Sequence, residues 1–287
     1  MPSRGRICRT AIGVAAALCA ATIAVAADEA VTFDSARYLV GDLQQRLARE
    51  RGETVQGPPA EKIMGYLSRP PGDGPFPAIV HLHGCGGLTA QRRKSDAEQF
   101  TRWGYVTLMV DSFATRGIND NCLGERILSR DADAIGALIY LSKLPFVDRQ
   151  RIAVVGYSQG GMTVLAIASD QPVDIFAVPR GLKFKAAVAY YPSCSAAADK
   201  LAIPTLVLIG ELDDWSLAAS CDRLMRRFDA SGAPIKVTVF PEAFHSFDSA
   251  AIKGTVRYFG HWLRYDKDAA TRAAAEMHDF LAAQLGQ

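Results

Sequence analysis

Six short apolar runs, each closed by turn-forming residues and separated from the next by a helical pattern, constrain this chain more than any other feature. They fall at 77–82 (P-A-I-V-H-L), 105–110 (Y-V-T-L-M-V), 152–155, 186–190 (A-A-V-A-Y), 205–209 (T-L-V-L-I) and 237–240. They are mostly continuous rather than alternating, as expected of strands covered on both faces. A shorter strand at 63–67 precedes the breaker R-P-P-G-D-G-P at 69–75. Helical spacing appears at 96–103, 132–144, 161–169 and 217–228, more weakly at 34–50, and again at 256–264 and 270–285. This alternation predicts an α/β chain with a mainly parallel central sheet and helices on both faces. Right-handed crossovers then put the C-terminal ends of the parallel strands on one edge, where open α/β sheets bind ligands.

Residues 1–27 stand apart. Arg4, Arg6 and Arg9 precede an uncharged, alanine-rich run at 12–26, and Ala24-Val25-Ala26 offers a small-residue cleavage site before Asp28 and Glu29. This is the layout of a secretory signal peptide. The run is short for a bilayer span of roughly 20 residues. We therefore expect an exported protein, periplasmic or secreted, with residues 28–287 forming one domain that folds as a monomer. Losing three arginines takes the count from 32 basic against 30 acidic side chains (+2) to 29 against 30 (−1). No basic stripe remains to suggest nucleic acid, and no other stretch suggests a membrane partner.

Cleavage leaves Cys85, Cys122, Cys194 and Cys221. An even count in an oxidising compartment permits two disulfides. Joining loops that follow adjacent strands gives Cys85–Cys122 and Cys194–Cys221; four buried free thiols are the alternative. No C-x-x-C spacing occurs, so a zinc or redox metal site is not expected.

The strand at 152–155 ends in Gly156-Tyr157-Ser158-Gln159-Gly160. Small residues two positions either side of a serine suit a tight strand-to-helix turn that lifts the hydroxyl to the sheet edge. A serine hydroxyl needs a base. Of His81, His83, His245, His261 and His278, only His245 follows a strand in a short polar loop. His261 and His278 fall in expected helices, and His83 reads as a structural prop. The strand at 205–209 ends in G-E-L-D-D-W, which offers Asp213 as the acid that orients the imidazole. Asp214 then reads as a cap for the following helix and Glu211 as the third choice. His83-Gly84-Cys85-Gly86-Gly87 can turn its backbone to form an oxyanion site, with the amides of Cys85 and Gln159 as donors. The order Ser158, Asp213, His245 is that of α/β-hydrolases.

These residues resemble the dienelactone hydrolase family. The likeness runs over roughly 55–265 and is carried by P-F-P-A-I-V-H-L-H-G-C-G-G-L (75–88), D-S-F-A-T-R-G (111–117), G-Y-S-Q-G-G (156–161), G-E-L-D-D-W (210–215) and F-H-S-F (244–247). The resemblance implies an α/β-hydrolase fold and hydrolysis of a small-molecule ester or lactone without cofactor. Well-known members carry cysteine where this chain has Ser158, so the dienelactone substrate itself is not carried over. Arg116 is a candidate for a substrate carboxylate or, alternatively, a tie to a neighbouring acid; Tyr157 and Trp215 are candidates to line the pocket. An acyltransferase, a peptidase on the same fold and a catalytically silent binding protein remain as alternatives.

Overall fold

The computed structural model describes residues 28–169 and 175–286; the expected signal peptide lies outside the described residues. The chain runs β1 (Glu29–Asp34), α1 (Asp42–Glu50), β2 (Lys62–Ser68), β3 (Phe76–Leu82), α2 (Ala90–Arg102), β4 (Val106–Asp111), α3 (Arg130–Leu141), β5 (Val147–Tyr157), α4 (Gln159–Ala168), β6 (Ala186–Tyr190), β7 (Thr205–Gly210), α5 (Ala218–Arg227), β8 (Ile235–Phe240), β9 (Thr255–Tyr258), β10 (His261–Arg264) and α6 (Lys267–Leu285). Eight strands form one sheet in the order β1-β2-β4-β3-β5-β6-β7-β8. The six strands from β4 to β8 are parallel, and β2 and β1 extend the sheet antiparallel.

The continuous apolar runs have the expected cause. Ile79, Val80, Val154, Val155, Val188, Leu206 and Val207 are fully buried. Helices α3 and α4 pack on one face of the sheet and α2 and α6 on the other, so neither side of the central strands can be polar. Burying one such side chain contributes about 1.5–3 kcal/mol. The edge strand β8 is only partly covered along most of its length.

Three elements differ from the sequence reading. The stretch expected to be a helix at 256–264 is the antiparallel hairpin β9–β10. Its turn residues Phe259 and Gly260 both have positive φ, which suits a two-residue hairpin loop, and Thr255, Val256, Tyr258 and Trp262 are strand-favouring side chains. Within the segment 34–50 only α1 is helical, and β1 before it was not anticipated. Helix α2 starts six residues before its apolar spacing does. Thr89 caps it by accepting the Arg92 N–H, while the polar first turn Gln91-Arg92-Arg93-Lys94 shows no hydrophobic period.

Both expected disulfides are present. Cys85 and Cys122 lie after the neighbouring strands β3 and β4. Cys194 follows β6, but its partner Cys221 sits in α5 rather than in a loop. Among the described residues no helix is long and apolar enough to cross a membrane.

Candidate active site

Central strand β5 delivers Ser158 to the C-terminal edge of the sheet, and α4 starts at the next residue. Ser158 has φ +53°, a left-handed backbone that strains any residue other than glycine. The flanking glycines follow from close approach. A β-carbon on Gly156 would run into the Gly160 carbonyl, and one on Gly160 into the Leu82 carbonyl of β3. Larger residues would push β3, the serine turn and α4 apart.

Two loops at the same edge bring the partners. His245, in the segment after β8, points Nε2 at Ser158 Oγ, 2.9 Å away. Its Nδ1 lies 2.7 Å from Asp213 Oδ2, in the turn after β7. With Nδ1–H donating to the carboxylate, Nε2 is left as the acceptor for the serine O–H. The other Asp213 oxygen accepts the N–H groups of Trp215 and Ser216 at 2.9 and 2.7 Å. His245 and Asp213 are both buried. A carboxylate with all these contacts is fixed in orientation and holds one imidazole tautomer.

Asp214 does not cap a helix. Leu217 occupies the N-cap of α5, and Asp214 instead accepts the Trp262 N–H of β10 at 3.1 Å. The unexpected hairpin thereby braces the acid turn. It also braces the histidine loop, through a bridge between Leu263 and His245 and through Arg264 donating to the Glu242 carbonyl. Trp215 packs against the His245 ring and stacks on His261, with centroids 5.1 and 4.7 Å apart. His261 therefore belongs to the rim of the site rather than to a terminal helix. Alternation of strand-favouring residues about Phe259-Gly260 was the signal for it.

On the other side of Ser158 lies the turn after β3. Among the described residues the amide N–H groups of Cys85 and Gln159 donate to no protein acceptor. Cys85 is held from behind, since its carbonyl accepts the Asn121 N–H at 2.8 Å and its sulfur is bonded to Cys122. His83 is a prop, as expected. Its Nε2 accepts the Ser112 N–H at 3.3 Å and its Nδ1–H donates to the Gly84 carbonyl at 2.6 Å. Burial and the charge of Arg130 push its pKa well below that of a free histidine, so it stays neutral.

Arg116 is not free for a substrate. Its guanidinium forks onto Asp133 at 2.7 and 2.9 Å, contacts Glu61, and donates to the Ser112 carbonyl. Asp133 is fully buried and needs that cation, so the loop after β4 is tied down rather than opened toward ligand.

A cavity of about 530 Å³ opens beside Ser158 between α2, α6 and the segment after His245. Tyr157 lines it, stacked on Tyr190, with the Arg92 guanidinium 4.4 Å over its ring. Arg92 donates to Asp248 at 2.6 Å and lies 3.6 Å from Asp96, while the Tyr191 hydroxyl donates to Asp248 at 2.8 Å. Burial works against the charges, yet Asp248 and Asp96 hold Arg92 well above the usual guanidinium value. Burial likewise pushes the Asp96 carboxyl up, but Arg92 and the His81 hydrogen bond outweigh it and hold it low. This network was not found from sequence, because Arg92 and Asp248 lie 156 residues apart. Gln91, Ser95, Gln99 and Thr271 share the wall with Ala250, Ala270, Ala274 and Met277, so it is mixed polar and apolar. Among the described residues no cluster of three His, Cys, Asp or Glu side chains is arranged to hold a metal ion.

Residues 63–285, well over half of the chain, match the dienelactone hydrolase family. The chain belongs to the dienelactone hydrolase family. Among individual relatives of this family member, the quorum-quenching protein AidA of Acinetobacter baumannii is 34% identical over 113 residues, 38% of this chain and 36% of AidA. The esterase FrsA of Escherichia fergusonii is 30% identical over 130 residues, 42% of this chain and 28% of FrsA. The matches thus span about a third of the length of these curated relatives. The dienelactone hydrolase-like promiscuous phosphotriesterase P91 from metagenomic libraries superposes with a TM-score of 0.59 at 19% identity, covering 90% of this chain and 99% of P91. At that identity the likeness speaks for the fold alone.

Proposed function

We propose that this chain is an exported serine hydrolase that cleaves a small carboxylic ester or lactone through Ser158, His245 and Asp213. His245 Nε2 takes the Ser158 proton as Oγ attacks the carbonyl carbon, and Asp213 steadies the resulting imidazolium. The carbonyl oxygen becomes an oxyanion facing the amides of Cys85 and Gln159. Collapse breaks the bond to the alkoxide, which leaves with the proton from His245; in a lactone this oxygen stays on the acyl chain. Water, deprotonated by the same histidine, then attacks the acyl-enzyme and releases the acid and Ser158.

One observation carries this reading: the unbroken line from Ser158 Oγ through His245 to Asp213, at 2.9 and 2.7 Å, ending beside two undonated amides. Family membership and the esterase relative point the same way. The cavity supports a small-molecule substrate: it has the volume of an ordinary small-molecule site, and its wall offers both polar groups and alanine, methionine and tyrosine surfaces. Export is supported by the leader pattern and by the two disulfides.

The test is labelling of the purified protein with a fluorophosphonate, read by intact mass and peptide mapping. We expect one adduct on Ser158, absent from Ser158→Ala and His245→Ala. A folded wild type that takes no adduct would favour a silent binding protein.

A further inference from the structure

Arg130, the first residue of α3, is 4% exposed, and among the described residues no carboxylate lies within ion-pair distance of it. Its guanidinium donates to the His83 carbonyl at 2.6 Å and to Gln159 Oε1 at 3.0 Å. Its approach to His83 Nδ1, at 3.4 Å, is not a hydrogen bond, because that nitrogen's proton goes to Gly84. Its Nε–H is buried without a partner. Burial lowers its pKa to about 10, and it still carries its charge at neutral pH. The guanidinium also lies over the Phe113 ring, 5.6 Å from its centroid, and Asp133 and Asp111 favour the charge through space without reaching ion-pair distance. The two oxygens it grips belong to the two halves of the oxyanion site. His83 leads into the turn that presents the Cys85 amide, and Gln159 presents the other amide itself. Gln159 also donates to the Asn121 carbonyl at 3.5 Å, while the Asn121 N–H holds Cys85. Arg130 is the charged member of this closed ring of contacts.

We infer that Arg130 is a positioning residue for the oxyanion site, holding the Cys85 and Gln159 amides in register and supplying the fixed positive charge behind them. It touches no reacting atom. It acts where negative charge develops, so its removal weakens the transition state more than the bound substrate. The inference rests on the serine-hydrolase reading above.

The experiment is hydrolysis of p-nitrophenyl acetate by wild type, Arg130→Met, Arg130→Lys and Gln159→Ala, alongside inhibition by phenylboronic acid. The boronate forms a tetrahedral, negatively charged adduct on the serine. For Arg130→Met we expect kcat to fall about 10- to 100-fold with KM within about threefold, and boronate affinity to fall in parallel. Arg130→Lys, which keeps the charge and loses the fork, recovers part of both. Gln159→Ala removes one link but leaves the charge and the backbone amide. It should lower kcat about three- to tenfold and keeps the test decisive if Arg130→Met fails to fold. Folded Arg130→Met with wild-type kcat or unchanged boronate affinity would overturn the inference, as would a wild-type Gln159→Ala beside an unfolded Arg130→Met. A wild type that neither turns over ester nor takes fluorophosphonate overturns the triad reading and this inference together.

Discussion

Two arginines flank Ser158, and their surroundings differ. Partly buried Arg92, on the cavity side, meets two carboxylates and an aromatic face. Buried Arg130, on the oxyanion side, meets a carbonyl, an amide oxygen and, 5.6 Å from its centroid, the Phe113 ring. The first charge is neutralised where it sits and works as a clamp, fastening the segment after His245 to α2 through Asp248. The second has no carboxylate within ion-pair distance, feels Asp133 and Asp111 only through space, and faces the turn where an oxyanion would form. A buried cation thus contributes to stability or to polarity of the site according to what surrounds it, not according to residue type.

The contrast can be broken from several directions. The largest effect concerns the serine both arginines flank. Ser158→Ala should lower kcat/KM at least about a thousandfold while the protein stays folded, measured by ester hydrolysis and circular dichroism. Next comes the clamp. Arg92→Met leaves buried Asp96 and partly buried Asp248 without their cation and should cost about 3–5 kcal/mol in urea unfolding. Arg130→Met should show its deficit chiefly in kcat instead. Equal stability losses in the two variants would erase the distinction.

Smaller is the covalent brace behind the oxyanion turn. Cys122→Ser opens the Cys85–Cys122 bond, which closes a 37-residue separation, and should destabilise the protein by about 2–4 kcal/mol, read by thermal unfolding. The smallest effect is a pH dependence. His83 has a folded-state pKa well below its unfolded value of about 6.5. The stability linked to it is present above pH 6.5. It is lost as pH falls below that, because the unfolded chain then takes up a proton the folded chain refuses. Urea unfolding at a series of pH values should show stability falling as pH drops below 6.5, and His83→Gln should flatten that fall.

How much of this was legible beforehand varied with range in the chain. The strands of the parallel core announced themselves because burial on both faces demands unbroken apolar runs. The hydrogen-bonded line Ser158–His245–Asp213 was legible because each residue follows such a strand at the same sheet edge. The same logic paired the cysteines. Reading failed where local pattern and tertiary use diverge. The segment 256–264 was taken for a helix although Phe259-Gly260 is a hairpin turn, and the rim residue His261 was misplaced with it. Arg116 was open between a ligand and a neighbouring acid. Asp133, seventeen residues on, decides it, because that carboxylate is fully buried and must be paired.

The sequence by itself determined the sheet, the serine turn and the placing of Ser158, Asp213 and His245 after successive strands, since periodicity and close-packed glycines are local demands written in consecutive residues. Only the tertiary structure decided which charges are matched. Arg92 and Arg130 look alike in a string of letters. They differ because Asp248 folds back onto one from 156 positions away, while the other hydrogen-bonds to uncharged oxygens and has no carboxylate within ion-pair distance. Electrostatic interactions depend on distance through space and on exclusion of water, and neither is set until the chain has closed around them.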